Sequence, residues 1–334
     1  MLLITGADQA LGHSIISHLS RYENARSQIR ALCQNQQPCI NFANKGVDVR
    51  QVEYHHPHQL SLAMRGVDHM ILTLGNEFDR LEHAKYVCQT AIQSGVKSII
   101  FVSHVGAVSH AHPSLQHYAE IEDQVVNSDC DWIILRPEWI NQNFHLWASY
   151  VEKHRRFPLP IPDDTEICPI DMSDICKVIE ELVLDRNKNL VSKLEDDHIG
   201  QVYTLTGPQS VTGKQIMEML CETTGYTKLT FEPTRSMDIR YYLENLRRDI
   251  WFDARLKQEN RQIYHDTFEG YSYRTKAFAI PTATQISTYL DYFDWVHKSA
   301  SSICVPHASV ITSLPCRSLR KFFQENANSF KPRV

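Results

Sequence analysis

What most constrains this 334-residue chain is a regular alternation over its first 137 residues, in which six short apolar runs are separated by turns and segments of helical spacing. The runs are Leu2–Ile4, Gln28–Cys33, Val47–Val52, Val67–Leu74, Val96–Ser103 and Asp131–Arg136, the last expected to stop at Pro137. Helical patterns cover Leu11 to about Tyr22, 59–65, Asp79–Ser94 and 114–128. VKSIIFVS at 96–103 has no polar alternation, as expected of a strand covered on both faces. The alternation implies an α/β fold with a doubly wound parallel sheet. In such sheets ligands bind beyond the carboxyl ends of the strands. That rule selects Gly6–Gly12, Gln34 and Asn35, Glu53 and Tyr54, Leu74–Asn76, Ser103–Gly106 and Pro137–Asn143.

The first of these ends is a strand running into a glycine turn and then a helix, ITGADQALG at 4–12. In a dinucleotide fingerprint the first glycine makes the tight turn, the second admits the pyrophosphate, and the third lets the helix pack on the strand. Gly6 and Gly12 supply the first and third, and Gln9 and Ala10 hold the middle positions. A side chain forced into a glycine-type conformation costs roughly 1–2 kcal/mol, and about 1.4 kcal/mol is tenfold in affinity. The substitution is therefore expected to weaken binding of NADP or NAD without abolishing it, because the helix N-terminus still offers N–H groups to a phosphate. The cofactor-facing candidates are Gly6, Ala7, Gln9, Ala10, Leu11, Gly12, Gln34, Glu53, Tyr54, Thr73, Leu74, Gly75, Ser103 and His104. NAD readers place an acid after the second strand and NADP readers an arginine. Here Gln34 and Asn35 are neutral, Arg30 lies inside the strand, and Lys45 and Arg50 are distant.

Beyond residue 155 the pattern loosens into FPLPIPDD at 157–164, read as a link, a helix Ser173–Leu184, a strand Gln201–Thr206, a helix Thr212–Thr224, and helical stretches at 236–263 and 282–298. The expected organisation is a nucleotide-binding domain at 1–155, a smaller substrate lobe at 156–298 interleaved with it, and a peripheral tail at 299–334 ending in a short docked helix at 317–327. A formal net charge of −5, with charges dispersed, supplies no basic field for nucleic acid. No apolar run reaches the ~18 residues of a membrane helix, and the default address is the cytoplasm, or the nucleus for a regulator. Nine widely spaced cysteines without a CxxC pair indicate neither a disulfide frame nor zinc and are expected to be mostly buried thiols. The YHHPH cluster straddles Pro57 on a loop, a poor frame for convergent ligands, so no metal is expected.

Several segments share their order and spacing with one family: ITGADQALG at 4–12, GVDVRQVEY at 46–54, AIQSGVKSIIFVS at 91–103, IEDQVVNSDCDWIILRPEWINQN at 121–143, PIDMSDI at 169–175 and VYTLTGP at 202–208. The chain resembles the NmrA-like proteins, atypical relatives of the short-chain dehydrogenase/reductases, over residues 1 to about 295. The resemblance implies a Rossmann-type domain for NADP(H) or NAD(H) with a small substrate lobe. Members divide between reductases, some acting on quinones, and redox sensors that bind cofactor without turnover. In the wider superfamily a tyrosine donates the proton and a lysine four residues later lowers its pKa. The matching stretch has Tyr118 but Glu122 in place of the lysine, and a carboxylate beside a phenol raises the phenol's pKa. Tyr118 and His104, which follows Ser103 at a strand end, are the catalytic candidates; His117, Tyr118, Pro137, Trp139 and Asn143 are the substrate-facing ones. Two readings follow: a reductase of a small quinone or carbonyl substrate that dispenses with the Tyr/Lys pair, or a silent NAD(P) sensor or scaffold whose basic tail docks a protein partner.

Overall fold

The computed structural model describes residues 1–74, 77–246, 280–299 and 304–330. Its strands are β1 Leu2–Ile4, β2 Ile29–Cys33, β3 Asp48–Gln51, β4 His69–Leu72, β5 Ser98–Val102, β6 Asp131–Pro137, β7 Arg156–Leu159, β8 Glu166–Ile167, β9 Gln201–Leu205, β10 Val211–Thr212 and β11 Thr230–Pro233. Seven pair in one parallel sheet in the order β3-β2-β1-β4-β5-β6-β9. The direction of chain growth reverses between β1 and β4, so a crevice opens where their carboxyl ends diverge.

Alternate side chains of the buried strands face opposite layers. Leu2, Ile4, Ile71, Ile100 and Ile133 pack with Ile15, Ile16 and Leu19 of α1 (Ala10–Leu19) and with Ile175 and Ile179 of the helix Met172–Val183. Leu3, Leu32, Met70, Ile99 and Phe101 pack with Leu60, Met64, Val87 and Ile121 from the helices Pro57–Met64, Arg80–Gln93 and Pro113–Val126. The six early strands thus lie where the apolar runs put them, with β6 extending through Pro137, whose register partner is Leu205.

Beyond residue 155 three details differ from the sequence reading. The stretch read as a proline-rich link contains β7, paired in parallel with β11; Pro158 is tolerated because this two-stranded sheet consists only of edges. The strand at 201–205 is the outermost member of the main sheet, beside β6. The tail is not peripheral: its helix, Leu319–Glu325, falls inside the expected span, but Phe322, Phe323 and Phe330 are fully buried with Phe144, Phe157 and Leu220. Arg317, from the basic run, is also inside, its Nη1 2.9 Å from Asp171 Oδ2 and its backbone N–H donating to Asp174 at 2.7 Å. The helical reading of 236–263 holds for Ser236–Glu244 and from residue 247 lies outside the described residues. Six of the nine cysteines are buried. No helix among the described residues is long and apolar enough to cross a membrane.

PIDMSDI and VYTLTGP occur together because they touch. Gly207 N donates to Cys168 O at 3.1 Å, and a Cβ there would lie 2.0 Å from Pro169 O. Asp171 caps the following helix through Ser173 N at 2.9 Å and accepts from Asn141 and Gln142, which holds the end of β6 in place.

Candidate functional site

The glycine turn forms a tight cradle at the end of β1. Gly6 has φ +60°, and a Cβ on it would sit 2.7 Å from Thr73 O. A Cβ on Gly12 would lie 2.4 Å from Gly6 O and 2.5 Å from Thr5 O, so only glycine lets α1 approach β1 this closely. The expected strain at the missing glycine is absent: Gln9 sits at φ −111°, ψ 159°, an extended conformation open to any residue. Its amide is drawn aside to the Glu77 carboxylate. Gln9 is the N-cap of α1 but makes no side-chain cap, which leaves the helix's first N–H groups at a cavity lined by Gln9, Ala10, Leu11 and Gly12. Glycine cradle and uncapped amides fit a dinucleotide pyrophosphate.

From there the cavity runs past Thr73, Leu74, Ser103 and His104 to Tyr118, Pro137, Trp139 and Asn143. His104 follows β5, and its Nδ1 accepts the Gly106 N–H at 2.9 Å. A ring nitrogen accepting from a backbone amide carries no proton, so the neutral imidazole bears its hydrogen on Nε2. Burial, with the charge of Arg80 adding to it, pushes the His104 pKa down to about 3. His104 is therefore a neutral hydrogen-bond donor near pH 7, not an acid.

Tyr118 lies beside it, ring centroids 5.3 Å apart, and is flanked by the Arg80 guanidinium 4.7 Å from its ring centre. Burial raises the phenol's pKa; Arg80 opposes the shift and Glu77 adds to it. Glu122, expected to do this, is turned the other way. It accepts from Ser103 Oγ at 2.5 Å and pairs with Arg136 at 2.5 and 2.9 Å. The residue in the lysine's position thus fixes the Ser103 hydroxyl instead of tuning Tyr118.

Ala7, Gly6, Gln34, Glu53, Tyr54 and His117 do not line the cavity. Ala7 is buried beneath the turn, and Tyr54 is fully buried with its hydroxyl accepting the Gly6 N–H at 2.8 Å, so it supports the cradle from below. Glu53 is exposed, and His117 accepts from Arg80 Nε at 3.2 Å. Gly75 lies outside the described residues.

Sequence reasoning assigns no role to two groups. Arg80 is fully buried, held by Thr288 Oγ1 at 3.2 Å and by the Ser114 carbonyl. Glu138 lines the cavity and accepts from Tyr292 Oη at 2.5 Å and from the Trp139 N–H. Burial raises its carboxyl to about 7, against the pull of those donors. Glu138 falls within the strand end Pro137–Asn143 that the sequence selects, but with no role of its own; the only sequence signal for Arg80 is a lone charge, which carries no position in space.

The model of the NAD(P)H-binding family matches residues 6–156. Quinone oxidoreductase 2 of Escherichia coli is 26% identical over 247 residues, 74% of this chain and 82% of that protein. The solved NADPH-dependent quinone oxidoreductase of Escherichia coli, in complex with NADPH, superposes with a TM-score of 0.70 at 22% identity, covering 96% of this chain and 97% of the other. The triphenylmethane reductase of Citrobacter sp., in complex with NADP(H), gives a TM-score of 0.74 at 17% identity, covering 97% and 99%. These structural likenesses fix the fold.

Proposed function

Because residues 6–156 belong to the NAD(P)H-binding family, as the NmrA-like resemblance implied, we propose that the chain is an NAD(P)H-dependent reductase of a small quinone or a related planar carbonyl compound. The observation that carries this reading is the continuity of the cavity from the glycine cradle to an aromatic wall of Tyr118, Trp139 and Tyr289, with the His104 Nε2–H beside it. When bound, the reduced nicotinamide supplies a hydride. The chain's own residues then have three tasks. Gly12 and the start of α1, on the turn that Gly6 shapes, would receive the phosphates. The aromatic wall stacks a flat acceptor and excludes water, so orientation lowers the barrier. His104 donates a hydrogen bond to the acceptor oxygen, and buried Arg80 stabilises the negative charge that grows there.

Hydride addition to a quinone gives a hydroquinone anion, a weak base that takes its one remaining proton from solvent as the product leaves. The Tyr/Lys pair is therefore dispensable for this substrate class. The domain at 1–155 holds the cofactor in this reading; the lobe after it and the C-terminal helices close the acceptor end, and the enzyme works in the cytoplasm.

Steady-state oxidation of NADH or NADPH with a panel of benzoquinones and naphthoquinones tests this. Turnover is expected, and His104→Leu should lower kcat about 100-fold with cofactor affinity unchanged. Tight dinucleotide binding without turnover on any quinone or carbonyl overturns the reductase reading and leaves the silent sensor.

A further inference from the structure

The structure places an acid where the choice between the two dinucleotides is made, and we propose that Asp8 makes this chain select NAD(H) over NADP(H). The inference rests on the cofactor reading above. In a doubly wound sheet the adenosine ribose lies at the carboxyl end of the second strand, where its 2′-hydroxyl or 2′-phosphate is read. Here that end is Cys33-Gln34-Asn35. Asp8, from the turn between β1 and α1, reaches across to it: Oδ2 accepts the Asn35 N–H at 2.8 Å and the Gln34 N–H at 3.2 Å. The two backbone donors fix the carboxylate against the loop, so a 2′-phosphate entering there meets a charge of its own sign and two amides already engaged.

Among the described residues, the cations nearest that loop in the sheet are committed or on the wrong side. Arg30 is buried in β2, with Nε 2.8 Å from Asp48 Oδ2 and Nη1 on the carbonyls of Ala63 and Arg65 at 2.7 and 2.8 Å. Arg50 points to the same aspartate, Nε to Oδ1 at 2.7 Å. Both arginines hold Asp48 below the usual carboxylate range, against burial that works the other way. Lys45 ends the helix Ile40–Asn44 and precedes β3, at the amino edge of a parallel sheet, a strand's length from the loop it would need to reach. Among the described residues, Glu53 at the end of β3 and Glu77 beside Gln9 add further acidic side chains near this rim. A free 2′-hydroxyl carries no charge to repel and can donate to a carboxylate, whereas a phosphate of about −1.5 to −2 cannot.

Calorimetric titration of the full chain with NADH and with NADPH at low ionic strength tests this by binding alone. NADH is expected to bind at least about tenfold more tightly, and the gap should narrow as salt screens the rim. Asp8→Asn should close most of it by tightening NADPH, and Gln34→Arg, which leaves Asp8 in place, should act in the same direction. NADPH binding as tightly as NADH to the unaltered chain overturns the selectivity and leaves the cofactor reading standing. Binding of neither overturns both.

Discussion

At the scale of single residues, the site depends on groups whose environment contradicts their usual chemistry. Gly12 is one: a methyl group there would overlap two carbonyl oxygens at 2.4 and 2.5 Å. Gly12→Ala is expected to destabilise the protein by about 1–3 kcal/mol, read from urea unfolding, and to weaken dinucleotide binding by displacing α1. Glu138 is another. Its carboxyl is raised from 4.5 to about 7 in the folded protein, so folding favours its protonated form. The stability this contributes is complete below about pH 4.5 and is lost as pH rises through 7, a change of about 3 kcal/mol. Glu138→Gln should remove that slope: the stability difference between variant and unaltered protein should shift in the variant's favour between pH 4.5 and 7 and stay constant above. A difference that does not vary over that window contradicts the burial argument. His104 has the opposite sign, because its depressed pKa favours folding at high pH and costs stability as pH falls below 6.5 towards 3.

At the scale of elements, the C-terminal segment behaves as part of the core. Arg317 and Asp171 form a pair whose side chains are 3% and 0% exposed, and Asp171 also holds the cap of the helix Met172–Val183 and the end of β6 through Gln142. Removing one member of a buried pair leaves the other charge uncompensated, so Arg317→Ala is expected to cost about 3–5 kcal/mol, visible as a fall in the thermal midpoint. A protein that keeps its midpoint after this change would show that the tail is dispensable. Strands were legible from the sequence where a short apolar run stood between turns, as in the IIFV of VKSIIFVS, or where apolar and polar residues alternated, as in VDVRQV. The tail was misread because its serines, prolines and basic residues mask two adjacent phenylalanines whose partners, such as Phe144 and Phe157, lie more than 150 residues earlier. β7 was missed because a proline-containing strand is legible only when its neighbour is known to leave that N–H unneeded.

At the scale of the whole molecule, the cavity is assembled from parts of the chain that no local pattern connects. Gly12, His104, Trp139 and Asn143, which line it, could be proposed from the sequence because each follows a recognisable strand. The roles of Arg80 and of Glu138, which sits at the same strand end as Trp139, could not, because they come from Thr288 and Tyr292 on the helix Ala283–Ser299, 208 and 154 residues away. Gln9 was judged from the fingerprint it breaks, and its real backbone angles show that the turn absorbs it without strain. The fold therefore stands on the sheet and the two glycines, while the proposed chemistry stands on how the helix Ala283–Ser299 closes over Glu138 and Arg80. The central claim is that this closure brings a bound reduced dinucleotide and a flat acceptor together beside His104. Anaerobic single-turnover mixing of the protein, preloaded with NADH, with a naphthoquinone tests it most directly. The expected result is first-order loss of nicotinamide absorbance at a rate that saturates with quinone and falls about 100-fold in His104→Leu. Loss at the rate seen without protein, despite demonstrated NADH binding, would contradict it.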